Sequence, residues 1–328
     1  MRAPEPLVSV VIATYRRPDL LERCLAALCA QRIDASAYEI VVADDGCERR
    51  IADLVAALAA RHCHVALRYT AVPRTQGPAG ARNAGARMAR GEILAFTDDD
   101  TIPAPDWVRN GYLALAAMPA WCAAAGRVVV PTPSRPTDHE RDTAGLACAE
   151  FVTANCFVRR SAFERVGGFD ERFTRAWRED SDLQFRLEAQ AGEVGRADAA
   201  VVEHPVRPAR WGTSASAQAK VFFDALLYKK HPRLYRARIR RVPPWRYYVI
   251  VAAAIVALLA ALGQAWQMAA GAALAWLAMT VEFCVLRLRG ASWRPQHILE
   301  MAATSVVIPP LSLYWRLRGA LAFRTRFL

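Results

Sequence analysis

Three consecutive carboxylates after a short apolar run are the first candidates for chemistry in this sequence. Asp98, Asp99 and Asp100 follow residues 93–96, which have the composition of a buried strand, after the single residue Thr97. Open α/β sheets bind ligands at the carboxyl ends of their parallel strands. Carboxylates at such an end can hold Mg²⁺ or Mn²⁺, which in turn neutralises a diphosphate. An acidic turn would have the same composition, so the choice depends on the neighbouring motifs.

A second acidic corner and a glycine-rich loop lie upstream of this triplet. Asp44 and Asp45 end the apolar run 39–43, and their oxygens could accept hydrogen bonds from a ribose or a base edge. Residues 77–85 read GPAGARNAG and open a helix, where backbone N–H groups and an arginine can approach an anion. The loop matches neither the dinucleotide fingerprint nor the Walker A motif, which removes the main support for a dehydrogenase or a kinase.

Two further acidic residues, Glu179 and Asp180, directly precede a helix predicted over about residues 181–191. The helix dipole alone would favour carboxylates there. A carboxylate can also act as a general base, because an acceptor hydroxyl must lose its proton as it attacks carbon. His204, after a further apolar run, is either a metal ligand or a partly buried histidine. Trp177 either stacks on a ligand or packs against the protein.

The elements that must position these residues alternate from residue 7 to about 205. Short β-rich runs and longer helical segments predict βαβ units with a mostly parallel sheet, covered on both faces. The predicted strands are residues 8–12, 39–43, 65–69, 93–96 and 155–159, and the predicted helices are residues 18–30, 48–60, 78–90 and 181–191.

Taken in order, the motifs resemble those of the family 2 glycosyltransferases, inverting enzymes of the GT-A fold that use nucleotide-diphosphate sugars. The resemblance covers residues 7 to 205 and implies a Rossmann-like α/β domain. The nucleotide-sugar contacts that it implies are Thr14, Tyr15, Arg17, Asp45, Gly77, Arg82, Asn83, Asp98 and Asp99.

The same resemblance implies the reacting groups. Asp180 is the expected general base, and Glu179 and Trp177 are expected on the acceptor side. The expected ligands of a divalent metal, Mn²⁺ or Mg²⁺, are Asp98, Asp100 and His204. The Q-x-x-R-W motif of processive members is absent in its strict form, because residues 207–211 read RPARW. Transfer of a single sugar is therefore expected rather than chain synthesis.

The composition changes sharply beyond residue 228. A stretch rich in Lys and Arg precedes residues 247–262, which carry no charge, and residues 265–286 carry only Glu282. Basic residues flank the pair on both outer sides, whereas the connecting residues are uncharged. The positive-inside rule therefore predicts a transmembrane hairpin with both ends in the cytoplasm.

A third apolar segment, residues 298–315, has a different character. It contains Glu300 and a proline pair, Pro309 and Pro310, which we expect to break a regular helix. An interfacial or re-entrant segment is favoured over a third membrane span.

Overall composition narrows the class of protein. The 43 Lys and Arg against 31 Asp and Glu give a net charge of +12, which favours an acidic partner. A nucleic-acid binder is disfavoured, because the basic excess concentrates beside the apolar tail rather than along a patch with aromatics. The eight cysteines form no C-x-x-C pair, which fits neither a zinc ribbon nor a disulfide scaffold.

Three regions are therefore expected: a cytosolic GT-A domain over residues 1–230, a basic juxtamembrane segment over 231–248, and a transmembrane hairpin with an interfacial or re-entrant segment over 249–328. The expected reaction moves one sugar from a nucleotide-diphosphate sugar, with UDP-sugars favoured, to a hydroxyl of a membrane-associated acceptor. A lipid-linked saccharide or glycolipid in cell-envelope glycan assembly at the inner membrane would be such an acceptor. The alternatives are a polyprenyl-phosphate glycosyltransferase and a non-catalytic nucleotide-sugar-binding membrane protein.

Overall fold

The computed structural model describes residues 5–62, 64–74 and 77–327. The chain divides into two compact units. The first comprises Met1–Pro131 and Ala144–Val206, and the second comprises Thr132–Thr143 and Arg207–Leu328. The expected region boundaries at residues 230 and 248 stay predictions, because compactness does not report where soluble chain meets membrane.

An eight-stranded sheet forms the centre of the first unit. Its strands are β1 Val8–Thr14, β2 Tyr38–Asp44, β3 Ala66–Ala71, β4 Ile93–Asp98, β5 Ile102–Pro103, β6 Trp121–Val129, β7 Cys156–Arg159 and β8 Glu193–Glu203. Their order is β3-β2-β1-β4-β7-β6-β8-β5. The pairs β1–β2, β1–β4, β2–β3 and β6–β8 are parallel, whereas β7 is antiparallel to both neighbours and β5 is antiparallel to β8. The mixed, mostly parallel sheet confirms the expected fold class.

Helices alternate with the strands in the first unit and dominate the second. In chain order they are α1 Pro18–Cys29, α2 Arg49–Arg61, α3 Pro78–Met88, α4 Trp107–Ala117, α5 Asp138–Ala144, α6 Arg160–Arg165, α7 Glu179–Gln190, α8 Thr213–Ser216, α9 Val221–Lys230, α10 Pro232–Leu234, α11 Trp245–Leu262, α12 Trp266–Leu288 and α13 Pro295–Ala322. Short 3-10 turns cover Ala35–Ala37, Gly145–Cys148 and Ala217–Lys220, and a π-helical turn covers Tyr235–Ile239.

Alternation along β1 builds two hydrophobic cores, one on each face of the sheet. Val10 and Ile12 pack into the first core, and Val11 packs into the second. Successive side chains of a strand point to opposite faces, so a nearly continuous apolar strand must be covered twice.

Parallel pairing in register brings the polar strand ends together. Thr14 at the end of β1 lies opposite Asp44 of β2, and Ala13 lies opposite Asp98 of β4. The carboxyl ends of three neighbouring strands therefore meet at one edge. The acidic corners, far apart in sequence, become neighbours for this reason.

The turn between α6 and α7 contains two glycines and is held by Asn83 of α3. Gly167 and Gly168 both have positive φ, of 77° and 70°. The Asn83 side chain accepts a hydrogen bond from Phe169 N and donates one to Phe169 O, each at 2.9 Å. A Cβ on Gly168 would lie 2.7 Å from Asn83 Oδ1, whereas a Cβ on Gly167 would meet nothing within 4 Å.

The pair of glycines offers a matched test of that turn. Gly167→Ala should cost only the strain of a positive φ, about 1 kcal/mol, whereas Gly168→Ala should cost roughly 1–3 kcal/mol more because it also displaces Asn83. Thermal unfolding of the detergent-solubilised full chain would measure the difference. Equal destabilisation by the two substitutions would contradict the assignment of Asn83 as the clamp of this turn.

The second unit contains three helices that are long and apolar enough to cross a membrane: α11, α12 and α13. The first two match the expected hairpin segments. The expected helix break at Pro309 and Pro310 is wrong, because α13 runs unbroken through both residues. The proline φ is compatible with a helix, and the loss of two backbone hydrogen bonds is offset by a packed face that includes Met301, Ile308 and Ser312.

Candidate functional site

The centre of the acidic triplet is anchored to the end of β1. Thr14 Oγ1 donates to Asp99 Oδ2 at 2.8 Å, and Arg17 Nη1 lies 3.3 Å from Asp99 Oδ1. Burial raises the pKa of Asp99 to about 6, although the nearby Arg17 charge lowers it. Thr14 and Asp99 are buried, whereas Arg17 is partly exposed. This arrangement fixes the loop after β4 and leaves the Arg17 guanidinium at the surface of the site.

The two carboxylates at the acidic corner after β2 make different contacts. Asp44 accepts hydrogen bonds from Gly46 N at 2.8 Å and Glu48 N at 2.7 Å, so it holds the turn. Asp45 Oδ2 accepts a hydrogen bond from Gly77 N at 2.8 Å. Asp45 Oδ1 is buried and has no hydrogen-bond partner among the described residues. This oxygen is free to accept a hydrogen bond from a ligand.

Gly77 must be glycine for this corner to close. Its φ is +90°, and a Cβ there would lie 2.3 Å from the carbonyl oxygen of Thr174. Burial raises the pKa of Asp45, and the Gly77 N–H opposes that rise. The first residue of the glycine-rich loop is therefore joined to the acidic corner after β2 through its backbone, not through a side chain.

Asp98, Asp100 and His204 form the one cluster of metal-binding type among the described residues. One potential ligand atom from each lies within 4.8 Å of those of the other two. His204 Nε2 lies 3.4 Å from Asp100 Oδ1, and the buried His204 Nδ1 has no hydrogen-bond partner among the described residues. Two carboxylates and an imidazole suit Mn²⁺ or Mg²⁺. The short separation of the carboxylate oxygens and the imidazole fits a bound divalent cation.

Arg82 joins this cluster to the start of α7. Its Nη2 donates to Asp98 Oδ1 at 2.7 Å, and its Nη1 donates to Glu179 Oε1 at 2.9 Å. The guanidinium is only 3% exposed. Its position as a nucleotide contact stays a prediction, although both of its terminal nitrogens already bind carboxylates of the chain.

The first turn of α7 holds two adjacent acidic residues in different surroundings. Burial and the charge of Asp180 raise the pKa of Glu179 to about 7, against the opposing effect of Arg82. Burial also raises the pKa of Asp180, although hydrogen bonding to Ser181 N lowers it. Asp180 Oδ1 accepts that bond at 2.6 Å. A carboxylate with a raised pKa at a sheet edge is suited to accept a proton.

Three other residues predicted to bind the donor or acceptor make the following contacts. Asn83 uses its amide on Phe169 and also donates to Glu171 Oε1 at 2.9 Å. Tyr15 is half exposed beside the loop after β1. Trp177 is partly exposed and its ring lies 4.4 Å from the Arg178 guanidinium. Their assignments to donor or acceptor stay predictions.

Sequence reasoning did not find two supporting residues. Arg178 precedes α7 with a left-handed φ of 73°, and its charge lowers the pKa of Asp180. Thr101 donates from Oγ1 to the Asp98 carbonyl at 2.9 Å and so closes the turn after β4. Neither residue type is distinctive in a loop, and only the position of Thr101 beside the acidic triplet could have drawn attention to it.

The fold is that of the GT-A glycosyltransferases. A solved mannosyltransferase from Pyrobaculum calidifontis, in complex with GDP-Man and Mn²⁺, aligns with 95% of this chain and 88% of that chain, with a TM-score of 0.59 and 22% identity. Its likeness concerns the fold alone.

The family model named Glycosyl transferase family 2 matches residues 9–173, and the model named N-terminal domain of galactosyltransferase matches residues 143–206. The chain belongs to glycosyl transferase family 2.

Two curated relatives illustrate the family. A validoxylamine A glucosyltransferase from Streptomyces hygroscopicus subsp. jinggangensis is 29% identical over 56% of this chain and 52% of its own length. The chondroitin synthase of Escherichia coli is 26% identical over 74% of this chain and 42% of its own length. The chain thus spans about half the length of the curated relatives that it matches.

Substitution of a metal-coordinating side chain tests the proposed metal site directly. We expect His204→Ala and Asp100→Asn each to weaken Mn²⁺ binding by roughly 10- to 100-fold, because either change removes one of three ligands. Asp106→Asn is the matched control, since Asp106 is a partly exposed carboxylate that also follows β4 in the chain but lies outside the cluster. Calorimetric titration with Mn²⁺ would measure all three, and equal loss in the control would contradict the assignment.

Proposed function

We propose that the chain is an inverting glycosyltransferase that moves one sugar from a nucleotide-diphosphate sugar to a hydroxyl group. The observation that carries the proposal is the continuity of the site. Asp98, a residue of the metal-binding cluster, is joined through one arginine to Glu179, and Glu179 is adjacent to Asp180. Donor activation and proton removal therefore have candidate groups within one rigid, mostly buried assembly.

The donor end of the site is suited to a nucleotide diphosphate. The free oxygen of Asp45 would accept a hydrogen bond from the base or ribose, and Arg17 offers a partly exposed positive charge to a phosphate. A divalent cation held by Asp98, Asp100 and His204 would neutralise the diphosphate leaving group. UDP-sugars are the favoured donors on the resemblance of Asp44, Asp45 and Gly46 to a uracil-binding corner.

The acceptor end supplies the base. As the acceptor oxygen attacks the anomeric carbon, the bond from that carbon to the diphosphate breaks on the opposite face, and the configuration inverts. Asp180 would take the hydroxyl proton as this bond forms. Glu179, held by Arg82, would keep the first turn of α7 in place.

We further propose that the acceptor is membrane-associated, such as a lipid-linked saccharide or glycolipid of the cell envelope, reached from the cytoplasmic face of the inner membrane. The support is the pair of apolar helices α11 and α12 with basic residues at their outer flanks. A polyprenyl-phosphate acceptor is the alternative, and it would need no strong general base because a phosphate is already ionised.

Substitution of the proposed base separates these acceptors. Asp180→Asn should lower sugar transfer by at least roughly 100-fold while donor binding is retained, because only proton removal is lost. Ser181→Ala is the control, since it removes a 3.3 Å hydroxyl contact to Asp180 and keeps the carboxylate. Transfer of labelled sugar from UDP-, GDP- and dTDP-sugars to membrane lipids would be measured beside thermal shift with each donor and Mn²⁺. Near-normal transfer by a folded Asp180→Asn would favour the phosphate acceptor.

The pH dependence follows from the raised pKa of Asp180. A base must be deprotonated to act, so activity should be lost as the pH falls through that pKa. Because burial raises the pKa above its ordinary value of 3.8, the acidic limb of kcat/KM should lie above pH 3.8. The profile would be measured at saturating Mn²⁺ with donor binding followed in parallel. An acidic limb that tracks donor binding rather than turnover would assign the titration to another group.

A further inference from the structure

Helix α13 buries polar side chains and exposes apolar ones, which is the reverse of the pattern of a helix in a soluble protein. Its buried stripe includes Thr304, Ser305, Ser312 and Arg316, all no more than 4% exposed. Its opposite face carries large apolar side chains with exposures between 42% and 70%: Leu299, Val306, Val307, Tyr314, Leu317 and Leu321. An apolar face of this size on the outside indicates contact with lipid.

A stretch of chain that carries lysines accompanies α13 along its length within the second unit. Gly212 N donates to Glu300 Oε1 at 2.7 Å near the start of the helix. Near its end, the Phe222 ring lies 6.5 Å from that of Trp315, and a Cβ on Gly319 would lie 2.6 Å from the Phe222 carbonyl oxygen. The accompanying residues 212–230 include Lys220, Lys229 and Lys230. A helix lined from end to end by such a segment cannot cross a bilayer unless that segment crosses too.

Hydrogen bonds from one end of the hairpin hold α13. Arg287, next to last in α12, donates to Thr304 Oγ1 at 2.8 Å and Ser305 Oγ at 3.0 Å. The Tyr247 ring, near the start of α11, lies 5.3 Å from the Phe283 ring of α12. The start of α11 and the end of α12 therefore form the base of the hairpin, and Arg287 joins α13 to that base.

Length and backbone chemistry agree with this placement. Between Glu300 and Arg316, roughly 15 residues rise about 22 Å, which is less than the roughly 30 Å of hydrocarbon in a bilayer. Pro309 and Pro310 donate no backbone hydrogen bond, so the carbonyls of Ser305 and Val306 lose their helical partners. In a spanning helix these carbonyls would lie near the bilayer centre, where water is absent.

We propose that α13 lies in the plane of the membrane interface, at the base of the α11–α12 hairpin, with its exposed apolar face in one leaflet of an anionic bilayer. The occupant is lipid rather than protein, because α11 and α12 of the same unit are also apolar and largely exposed, as expected of helices in a bilayer. Exposed basic residues at its two ends match anionic headgroups: Arg294, Arg318, Arg324 and Arg326. The C-terminus then lies on the same side of the membrane as α9. The proposal rests on the proposed membrane anchorage but not on the transfer reaction.

Depth profiling tests the proposal without an activity assay. The full chain is reconstituted in vesicles of phosphatidylcholine and phosphatidylglycerol, with a spin label carried by a non-canonical amino acid at Leu299, Val307 or Leu321. We expect the three depths to agree within about 5 Å, because the helix is parallel to the surface. Positions 268, 277 and 285 in α12 are the matched control, and Leu277 should be deeper than both others by about 10 Å.

The outcome that overturns the proposal is equally specific. A spanning α13 would place Val307 deeper than both Leu299 and Leu321 by about 10 Å, as in α12. A second readout uses reporters that are active on only one side of the membrane, fused at either terminus or inserted at Gln264. Both termini on one side and Gln264 on the other supports the proposal, and termini on opposite sides refutes it. Neither readout depends on transfer, so its failure would leave the proposed reaction to be judged separately.

Discussion

The buried guanidinium of Arg82 is the constraint on which the rest of the site depends. A cation taken out of water is tolerated only when it is paired and hydrogen-bonded, and Arg82 is paired twice, with Asp98 and Glu179. To reach that position it needs α3 close to the sheet. Gly85 permits this, since a Cβ there would lie 2.5 Å from Val11 Cγ1. One small residue thus permits the close approach of α3 to β1, and Arg82 of α3 then bridges the end of β4 and the start of α7.

Sharing one positive charge among several carboxylates also explains the electrostatics at the start of α7. Arg82 offsets only part of the cost of burying Glu179, so the pKa of Glu179 is still raised, to about 7, by burial and by the neighbouring Asp180. Asp98 takes one guanidinium nitrogen through Oδ1, which leaves its other oxygen for a cation. A bound cation at Asp98 would therefore compete with Arg82 for negative charge. With the proposed roles of Asp98 and Asp180, donor binding and the ionisation of Asp180 would be coupled through Arg82.

Many strands and helices of the first unit could be predicted from the sequence, because the residues that indicate them lie next to one another in the chain. The strands that begin near Val8 and Ile93, and the helix that begins at Pro18, were predicted to within a few residues, since periodicity and helix-start residues are written in adjacent positions. The proximity of Asp98 and His204 was predicted only through family resemblance. The Arg82–Glu179 pair was not predicted, because nothing in local sequence tells whether an arginine faces a ligand or a buried carboxylate 97 positions away.

The third apolar segment shows where local rules fail for a different reason. The rule that prolines interrupt helices assumes that the lost hydrogen bonds are not compensated, and here a packed face with Ile308 and Ser312 compensates for them. Hydropathy fails as well, because it averages over the helix and so hides which face is apolar. The burial of Arg316 opposite the exposed Leu317 shows that the polar stripe faces protein and the apolar stripe faces outward. The orientation of such a helix is fixed by its partners at Gly212, Phe222 and Arg287, which only the fold brings together.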